Sequence, residues 1–527
     1  MEQSKQVSGM ESLGIAINQY LGSAYKNFPY IAMERHIQNW LAWYKGNVEG
    51  FHNFKTVNGT GKAIEQHRQT LNMGKRVPED WASLLMNEKV TITVDDNSAN
   101  DYVQEVLKNN RFTVESNRLT ELTFALGTGA MIVGYDKERK KEFIDYIHGD
   151  FIFPLSWENG KITECAFFSK RTEDKIVYFE VVLHTLNEPN EEGLRTYQIS
   201  KINVGDGVDY GIVGRAGSTS MGSGNYKEID TFDSQSEIPY FTITKPHIVN
   251  NYDKTNPMGV SIIGNALSQI KGADAVYDSY YNEFILGIKR IAVSKDMEHA
   301  VKTDDGIEYA FDPSNPLYLY GIPFDEETGK PKFAEINMSL RTNEHQMALT
   351  DILKLISSQC GLGGSYYTLM KDMSVQTATA VVSERDDLFR NKKKHELLLH
   401  DNIIDVVEAI IRIANVEMNM GLKEDAEITV EFDDSIIQDD EVEYKQDYDL
   451  MLDGIMPKKK FLVKHRGLTE KEAKEWIADS EEEDEANDKF MFGDNPTPPP
   501  VEPVIAKEPL KTMEKKKIKI KKEVAND

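Results

Sequence analysis

Pro257-Met-Gly-Val-Ser-Ile-Ile-Gly-Asn-Ala-Leu-Ser-Gln-Ile-Lys-Gly-Ala-Asp-Ala-Val-Tyr-Asp-Ser-Tyr-Tyr-Asn-Glu-Phe-Ile-Leu-Gly-Ile288 opens the most informative part of the sequence. Its apolar residues Val260, Ile263, Leu267, Ile270, Tyr277, Tyr281, Phe284 and Ile288 recur at steps of three and four, broken only by Asp274 at a seam position. Such a heptad-like seam suits packing against other helices. Some 30 residues at ~1.5 Å each predict a rod of ~45 Å, opened by Pro257 and Gly259. Periodicity alone leaves two readings, a long core helix of a monomer or a helix packed in an assembly.

Downstream, residues 291–338 read as a small insert with strand-like Ile291-Ala-Val-Ser and Leu317-Tyr-Leu-Tyr. A second helix is predicted over about 340–360 through Leu349, Ile352, Leu353 and Ile356, stopped by Gly361-Leu-Gly-Gly364. A third spans about 376–420 with the seam Leu399, Ile403, Val406, Ile410 and Ile413, and Arg390-Asn-Lys-Lys-Lys-His395 marks a candidate kink. Residues 439–453 predict a helix at the end of an acidic stretch, and Pro457 leads into another ending near Trp476. Charge blocks and Pro496-Thr-Pro-Pro-Pro500 make 481–527 a disordered tail by composition.

Upstream, Met33, Ile37, Trp40 and Tyr44 form a helical aromatic stripe that reads as core. Helix then strand is predicted over 81–94, a helix over about 100–126, and a buried strand over Gly129–Tyr135. From 143 to about 250 the period is two, which predicts an antiparallel β region, with Gly214–Gly224 a mobile loop.

The chain has 527 residues and a net charge of −26, and a surface of that sign repels phosphates. Cys165 and Cys360 make neither a disulfide framework nor a cysteine zinc site. The opening MEQSKQVSGM lacks a signal-peptide pattern, and no run of 18 apolar residues occurs, so an acidic soluble protein of a reducing compartment, with no membrane partner, is expected.

Catalytic motifs fail on chemistry. Gly59-Thr60-Gly61-Lys62 has Thr56 and Ala63 where a phosphate loop needs glycine and a hydroxyl. His395 and His400 are five apart, off a common helix face, and read as surface histidines. No cofactor is expected and no enzyme activity is indicated. Dispersed carboxylates leave a metal-dependent nuclease as an alternative, and the acidic helices and tail leave an intracellular scaffold or adaptor.

The order of elements resembles the portal proteins of tailed double-stranded DNA bacteriophages, of the siphophage branch of Gram-positive hosts. Asn117–Tyr135, with its Gly127-Thr-Gly129, resembles the wing helix-into-strand signature. Asn256-Pro-Met-Gly-Val-Ser-Ile-Ile-Gly-Asn-Ala266 resembles the lead into the first stem helix. Thr377-Ala-Thr-Ala-Val-Val-Ser383 and the Asp439-Asp-Glu run before the C-terminal helices match as well. The resemblance implies an α+β, ring-forming portal fold: wing 1–256, stem helix 257–290, α/β clip 291–338, second stem helix 339–360, tunnel loop 361–376, long wing helix 377–400, helical crown 401–480 and charged tail 481–527.

It also implies a twelve-fold ring at one capsid vertex, the conduit for DNA packaging and ejection. The implied partners are further copies of the chain, the large terminase subunit, scaffolding and major capsid proteins, the head–tail adaptor and passing double-stranded DNA. Ile263, Leu267, Ile270, Tyr277, Tyr281 and Phe284 become stem-packing residues. Gly363, Gly364, Tyr366, Tyr367 and Lys371 become tunnel-loop residues. Lys271, Asp274, Lys289 and Arg290 become candidates to face the channel, the cations being equally able to pair with Asp274, Asp278 or Glu283 of a neighbour. Twelve copies at −26 carry about −300, so a lining of this sign holds passing phosphates nowhere strongly.

Overall fold

The aromatic stripe of residues 30–44 folds as read. After α1 (Gly9–Tyr20), Pro29 starts α2 (Pro29–Tyr44) at a position where its missing N–H costs nothing, and Tyr30, Met33, Ile37 and Trp40 are buried. The computed structural model describes residues 9–22, 28–57, 61–87, 90–173, 176–191, 193–204, 226–293, 300–303, 306–309, 318–320, 333–336, 338–364, 366–367, 378–432, 440–466, 473–474 and 476–478. The expectations for 214–224, for Lys371 and for 481–527 lie outside them. Residues 1–437 form one unit and 438–527 another.

In the first unit a hairpin of β1 (Asn53–Val57) and β2 (Ala63–His67) precedes α3 (Met73–Leu85) and β3 (Thr91–Val94), helix then strand as expected. The helix expected over 100–126 is two, α4 (Asn97–Asn109) and α5 (Phe112–Leu126). Arg111 between them takes φ 52°, a left-handed conformation that ends one helix and redirects the chain into the next. Asp96 caps α4, accepting from the Ala99 N–H at 2.8 Å.

The two-residue period downstream gives β4 (Gly129–Asp136), β5 (Lys141–His148), β6 (Ile152–Glu158), β7 (Lys161–Glu173), β8 (Ile176–Leu186), β9 (Tyr197–Val204), β10 (Tyr226–Asp233) and β11 (Phe241–Thr244). β6 to β10 make a five-stranded sheet of order β10-β9-β8-β7-β6, every pairing antiparallel, and β11-β4-β5 make a second. One face of the larger sheet packs Phe153, Phe168 and Leu183 against α1 and α2. The other packs Cys165 and Phe167 against Ile132 and Phe241.

The stretch from Pro257 departs from its reading at the front. Its helix, α6, runs Leu267–Leu286, so the rod is about 30 Å rather than ~45 Å. Residues 257–263 are instead laid across the end of α5. The Phe124 carbonyl there has no partner within its own helix; it accepts the Ile262 N–H at 2.9 Å and the Ser261 hydroxyl at 3.2 Å. Gly127 (φ 88°) and Gly259 meet backbone to backbone, and a Cβ on Gly259 would stand 2.0 Å from the Gly127 carbonyl oxygen. The two motifs quoted from 117–135 and 256–266 are thus one packed joint.

After α6 come β12 (Arg290–Val293), β13 (Ala300–Thr303), β14 (Gly306–Tyr309), β15 (Tyr318–Tyr320) and β16 (Phe333–Ile336). β12 pairs β15 in parallel and β16 antiparallel, so the two strands read from sequence are neighbours. Then follow α7 (Thr342–Gln359), α8 (Ala378–Met418) and β17 (Ile428–Glu431), the last paired with β3. α8 is one unbroken helix of 41 residues, about 60 Å. The basic run at 390–395 lies inside this helix, which also continues past residue 400. Leu399, Ile403, Val406, Ile410 and Ile413 are all buried, as their spacing predicts. The second unit holds α9 (Asp440–Leu452) and α10 (Lys458–Arg466).

Candidate functional site

α6 changes character along its length. Its first half is locked into the chain's own core, with Ile270 and Ala273 buried among Leu353 and Ile356 of α7. From Tyr281 onward its apolar side chains stand in solvent: Tyr281, Phe284, Ile285, then Leu286 at 68% exposure and Ile288 beyond. α7 adds exposed Met347 and Leu355, and the approach to it adds Met338 and Leu340. Of the six seam residues, Ile263 and Ile270 are buried inside the chain, Leu267 and Tyr277 are half-buried, and Tyr281 and Phe284 are exposed.

One clamp holds the far ends of the two helices together. Glu283 receives the Arg341 guanidinium on both oxygens, at 3.2 Å from Nε and 2.8 Å from Nη2, and also its backbone N–H at 3.1 Å. These hydrogen bonds hold the Glu283 carboxyl down to about 2. His345 lies 3.7 Å from the same carboxylate, and Tyr280 packs on its ring.

Asp274 does not face a channel, contrary to its expected role. It is 1% exposed and accepts the Thr70 hydroxyl at 3.0 Å and the Leu71 N–H at 2.8 Å on one oxygen. On the other it meets His52 Nε2 at 3.0 Å. A buried carboxylate needs such a set of donors, and the loop after β2 together with His52, just ahead of β1, supplies it. Asp278, one turn on, takes the Gln69 N–H. Lys271 is exposed but leans over the Phe51 ring, which the Arg68 guanidinium also covers. Lys289 is exposed and Arg290 half-buried at the start of β12.

The loop after α7 is anchored at its root. Gly361 and Gly363 take φ 80° and 84°, which turns the chain off the helix. The Ser357 hydroxyl donates to the Gly363 carbonyl, Asn391 Nδ2 to that of Gly361 at 2.9 Å, and Trp81 Nε1 to that of Cys360 at 3.0 Å. Tyr367 donates its hydroxyl to Asp80 Oδ2 at 2.6 Å, and Arg76 grips the same carboxylate. Burial raises Asp80, while Tyr367 and Arg76 pull it back down. Tyr366, ring-to-edge against Tyr367, is more exposed, and burial with the Asp80 charge pushes its hydroxyl up to about 12. Gly364 has open space where a Cβ would lie.

The model of the family described as phage portal protein, SPP1 Gp6-like, matches residues 32–486. The chain belongs to the phage portal protein family. A solved chain from the virion of a native gene transfer agent particle is 10% identical to this portal protein, with a TM-score of 0.38 over 75% of this chain and 89% of that one. Another, from the neck of an empty gene transfer agent particle, is 11% identical with a TM-score of 0.40, over 85% and 97%. No curated protein matches this portal protein.

The portal chain also carries polar groups that its apolar spacing hid. His395 is buried, not on the surface, edge-on to Trp81 and Phe124, and accepts the His247 N–H on Nδ1 at 3.0 Å. Lys392 and Glu396 are buried beside it, 2.6 Å apart. Leu388, Lys392, His395, Leu399 and Ile403 step by three and four, so the basic run that resembled a kink continues the buried seam with charges. That spacing was the available signal. Among the described residues, no group of three His, Cys, Asp or Glu side chains is placed to hold a metal ion, and no helix is long and apolar enough to cross a membrane.

Proposed function

We propose that this portal protein closes with copies of itself into a ring, twelve in number by family resemblance, at one vertex of a phage capsid. In that reading double-stranded DNA enters and leaves the head through the ring's axis. The α6–α7 pair serves as stem, the insert between them as the clip that docks the large terminase subunit, and the loop after α7 as tunnel loop. Scaffolding and major capsid proteins meet the ring during assembly, the head–tail adaptor joins it afterwards, and the finished ring resides in the virion.

One observation carries the reading: a line of exposed aromatic and aliphatic side chains from Tyr281 to Ile288, continued on the α7 side by Met338, Leu340 and Met347. Water-facing apolar surface gathered at one end of a clamped helix pair is what a neighbouring copy would cover. Each copy brings −26, so the apolar contact must outweigh a like-charge repulsion that salt weakens. Negative-stain imaging with mass measurement of the purified chain tests this. Closed rings, favoured by added salt, are expected; a chain that stays monomeric in salt and with its capsid partners overturns the reading.

A further inference from the structure

β1 and β2 pair with each other in a two-stranded sheet, and every residue of β2 is exposed. A hairpin of two strands is marginal alone in water, so this one keeps its place through its root. There the His52 carbonyl accepts the Arg68 N–H at 2.8 Å. The Arg68 guanidinium donates to the Phe51 carbonyl at 2.7 Å and covers the Phe51 and Phe54 rings. Asp278 of α6 takes the Gln69 N–H at 3.0 Å, one turn beyond the Asp274 bonds to His52, Thr70 and Leu71. The hairpin is thus bolted to α6 at one end and wet along β2.

The register divides its side chains. On one face His67 bonds Asn53 at 2.7 Å, Lys55 meets Glu65 at 3.2 Å, and Val57 lies opposite Ala63. On the other, Phe54 lies opposite Gln66 and Thr56 opposite Ile64. Val57 at 70% exposure and Ile64 at 41% leave apolar surface in water on both faces. The local charge also runs against that of the chain. Residues 53–68 hold Lys55, Lys62 and Arg68 against Glu65, a net +2, which leaves −28 of the −26 total for the rest. Exposed apolar groups among cations suit an acidic partner surface, and the remainder of a second copy has that sign.

We infer that the β1–β2 hairpin is an arm that each copy lays on the acidic body of the next. The inference deepens the ring reading above and rests on it. Two arms of the same positive sign repel, so the arm does not meet its own counterpart in a two-fold contact. Arm onto body is a head-to-tail contact in which every copy gives one arm and receives one, and such contacts close rings. At close range, within about 10 Å at ~0.1 M salt, the arm's attraction offsets part of the repulsion between like-charged copies. It is a second fastening beside the apolar end of α6.

The test places the photo-crosslinking residue p-benzoylphenylalanine at Ile64 of the full chain and irradiates rings with the capsid partners present. A ladder of covalent oligomers, with the captured peptide belonging to this same chain, is expected. Rings that form but give no ladder, or that capture a capsid protein alone, overturn the arm and leave the ring reading standing. A wild type that never closes rings overturns the ring reading and the arm with it. A second measurement reads the salt concentration at which half the chain is in rings. Lys55→Glu/Lys62→Glu is expected to raise it at least about two-fold. Lys254→Glu/Lys423→Glu makes the same change of net charge on other exposed lysines and should raise it less. Equal shifts in the two variants overturn the inference, and circular dichroism checks that both keep their fold.

Discussion

His52 Nε2 lies 3.0 Å from Asp274 Oδ2, and both side chains are sealed from solvent. His52 Nδ1 accepts the Val48 N–H at 2.9 Å, so the ring proton sits on Nε2 and is donated to the carboxylate. This bond joins α6 to the segment between α2 and α3, two parts of the chain more than 200 residues apart. Asp274→Ala would strand the His52 ring proton, the Thr70 hydroxyl and the Leu71 N–H in a dry interior. A loss of about 3 kcal/mol in unfolding free energy is expected, with Asp274→Asn losing less because one oxygen still accepts. Urea unfolding followed by tryptophan fluorescence measures it, and equal stability of wild type and Asp274→Ala would refute the network's importance.

Two substitutions of the same chemistry separate folding from assembly. Ile270 is buried within the chain, so Ile270→Asp places an unpaired charge in the core and should lower stability by several kcal/mol. Phe284 is exposed, so Phe284→Asp should leave the thermal midpoint of the isolated chain nearly unchanged while preventing ring closure. Calorimetry and native mass measurement on both proteins check the pair. Rings formed normally by Phe284→Asp would move the copy-facing surface elsewhere.

The contrast between these two residues shows how far the sequence could be read. Three-four spacing predicts Ile270 and Phe284 alike, because periodicity reports which side chains share a helix face and is silent on whether the chain itself covers that face. The same blindness explains the false start at Val260 and Ile263. They fit the helical period, but the end of α5 offered the Phe124 carbonyl and a seat for Gly259, and these tertiary partners pulled the segment off the helix. His52, Asp80 and Lys392 were missed because a buried polar group is recognised by its partners, which lie 222, 287 or only 4 residues away. Elements whose signal is local, such as α2, α7, α8 and the antiparallel strands, were legible.

Tyr367 is one anchor of the loop after α7, beside Ser357, Asn391 and Trp81. Tyr367→Phe removes one hydroxyl and leaves Asp80 with Arg76 alone. Assembly should survive, and limited proteolysis between 361 and 376 should accelerate several-fold as the anchor weakens, at a cost of about 1 kcal/mol. Tyr366→Ala with Tyr367→Ala should also assemble but change packaged DNA length or infectivity. Rings that package and infect as wild type would take this loop out of the DNA path.

Acid should weaken the fold through two histidines. Burial lowers His184 to about 3, between Phe167 and Phe241, and neither of its ring nitrogens has a hydrogen-bond partner. His395 is lowered to about 3 by burial first, then by the charges of Lys394 and His247. An unfolded histidine takes up its proton near 6.5, so between there and about 3 the unfolded chain binds protons that the folded one refuses. The histidine contribution is therefore full above pH 6.5 and falls as pH drops, by about 1.4 kcal/mol per unit for each histidine. Burial raises Glu142 to about 8, with the opposite sign: its protonated form is favoured in the fold, and its contribution is lost as pH rises from the ordinary carboxylate range through 8. His184→Leu should flatten the acid limb of a urea-midpoint profile between pH 7 and pH 5 and raise stability at both ends, since it removes two unsatisfied nitrogens. Glu142→Gln should remove the fall with rising pH across that whole window, flattening the profile between pH 6.5 and 8 and steepening the acid limb below it. An acid limb as steep in His184→Leu as in wild type would mean that the loss on acidification arises elsewhere in the chain.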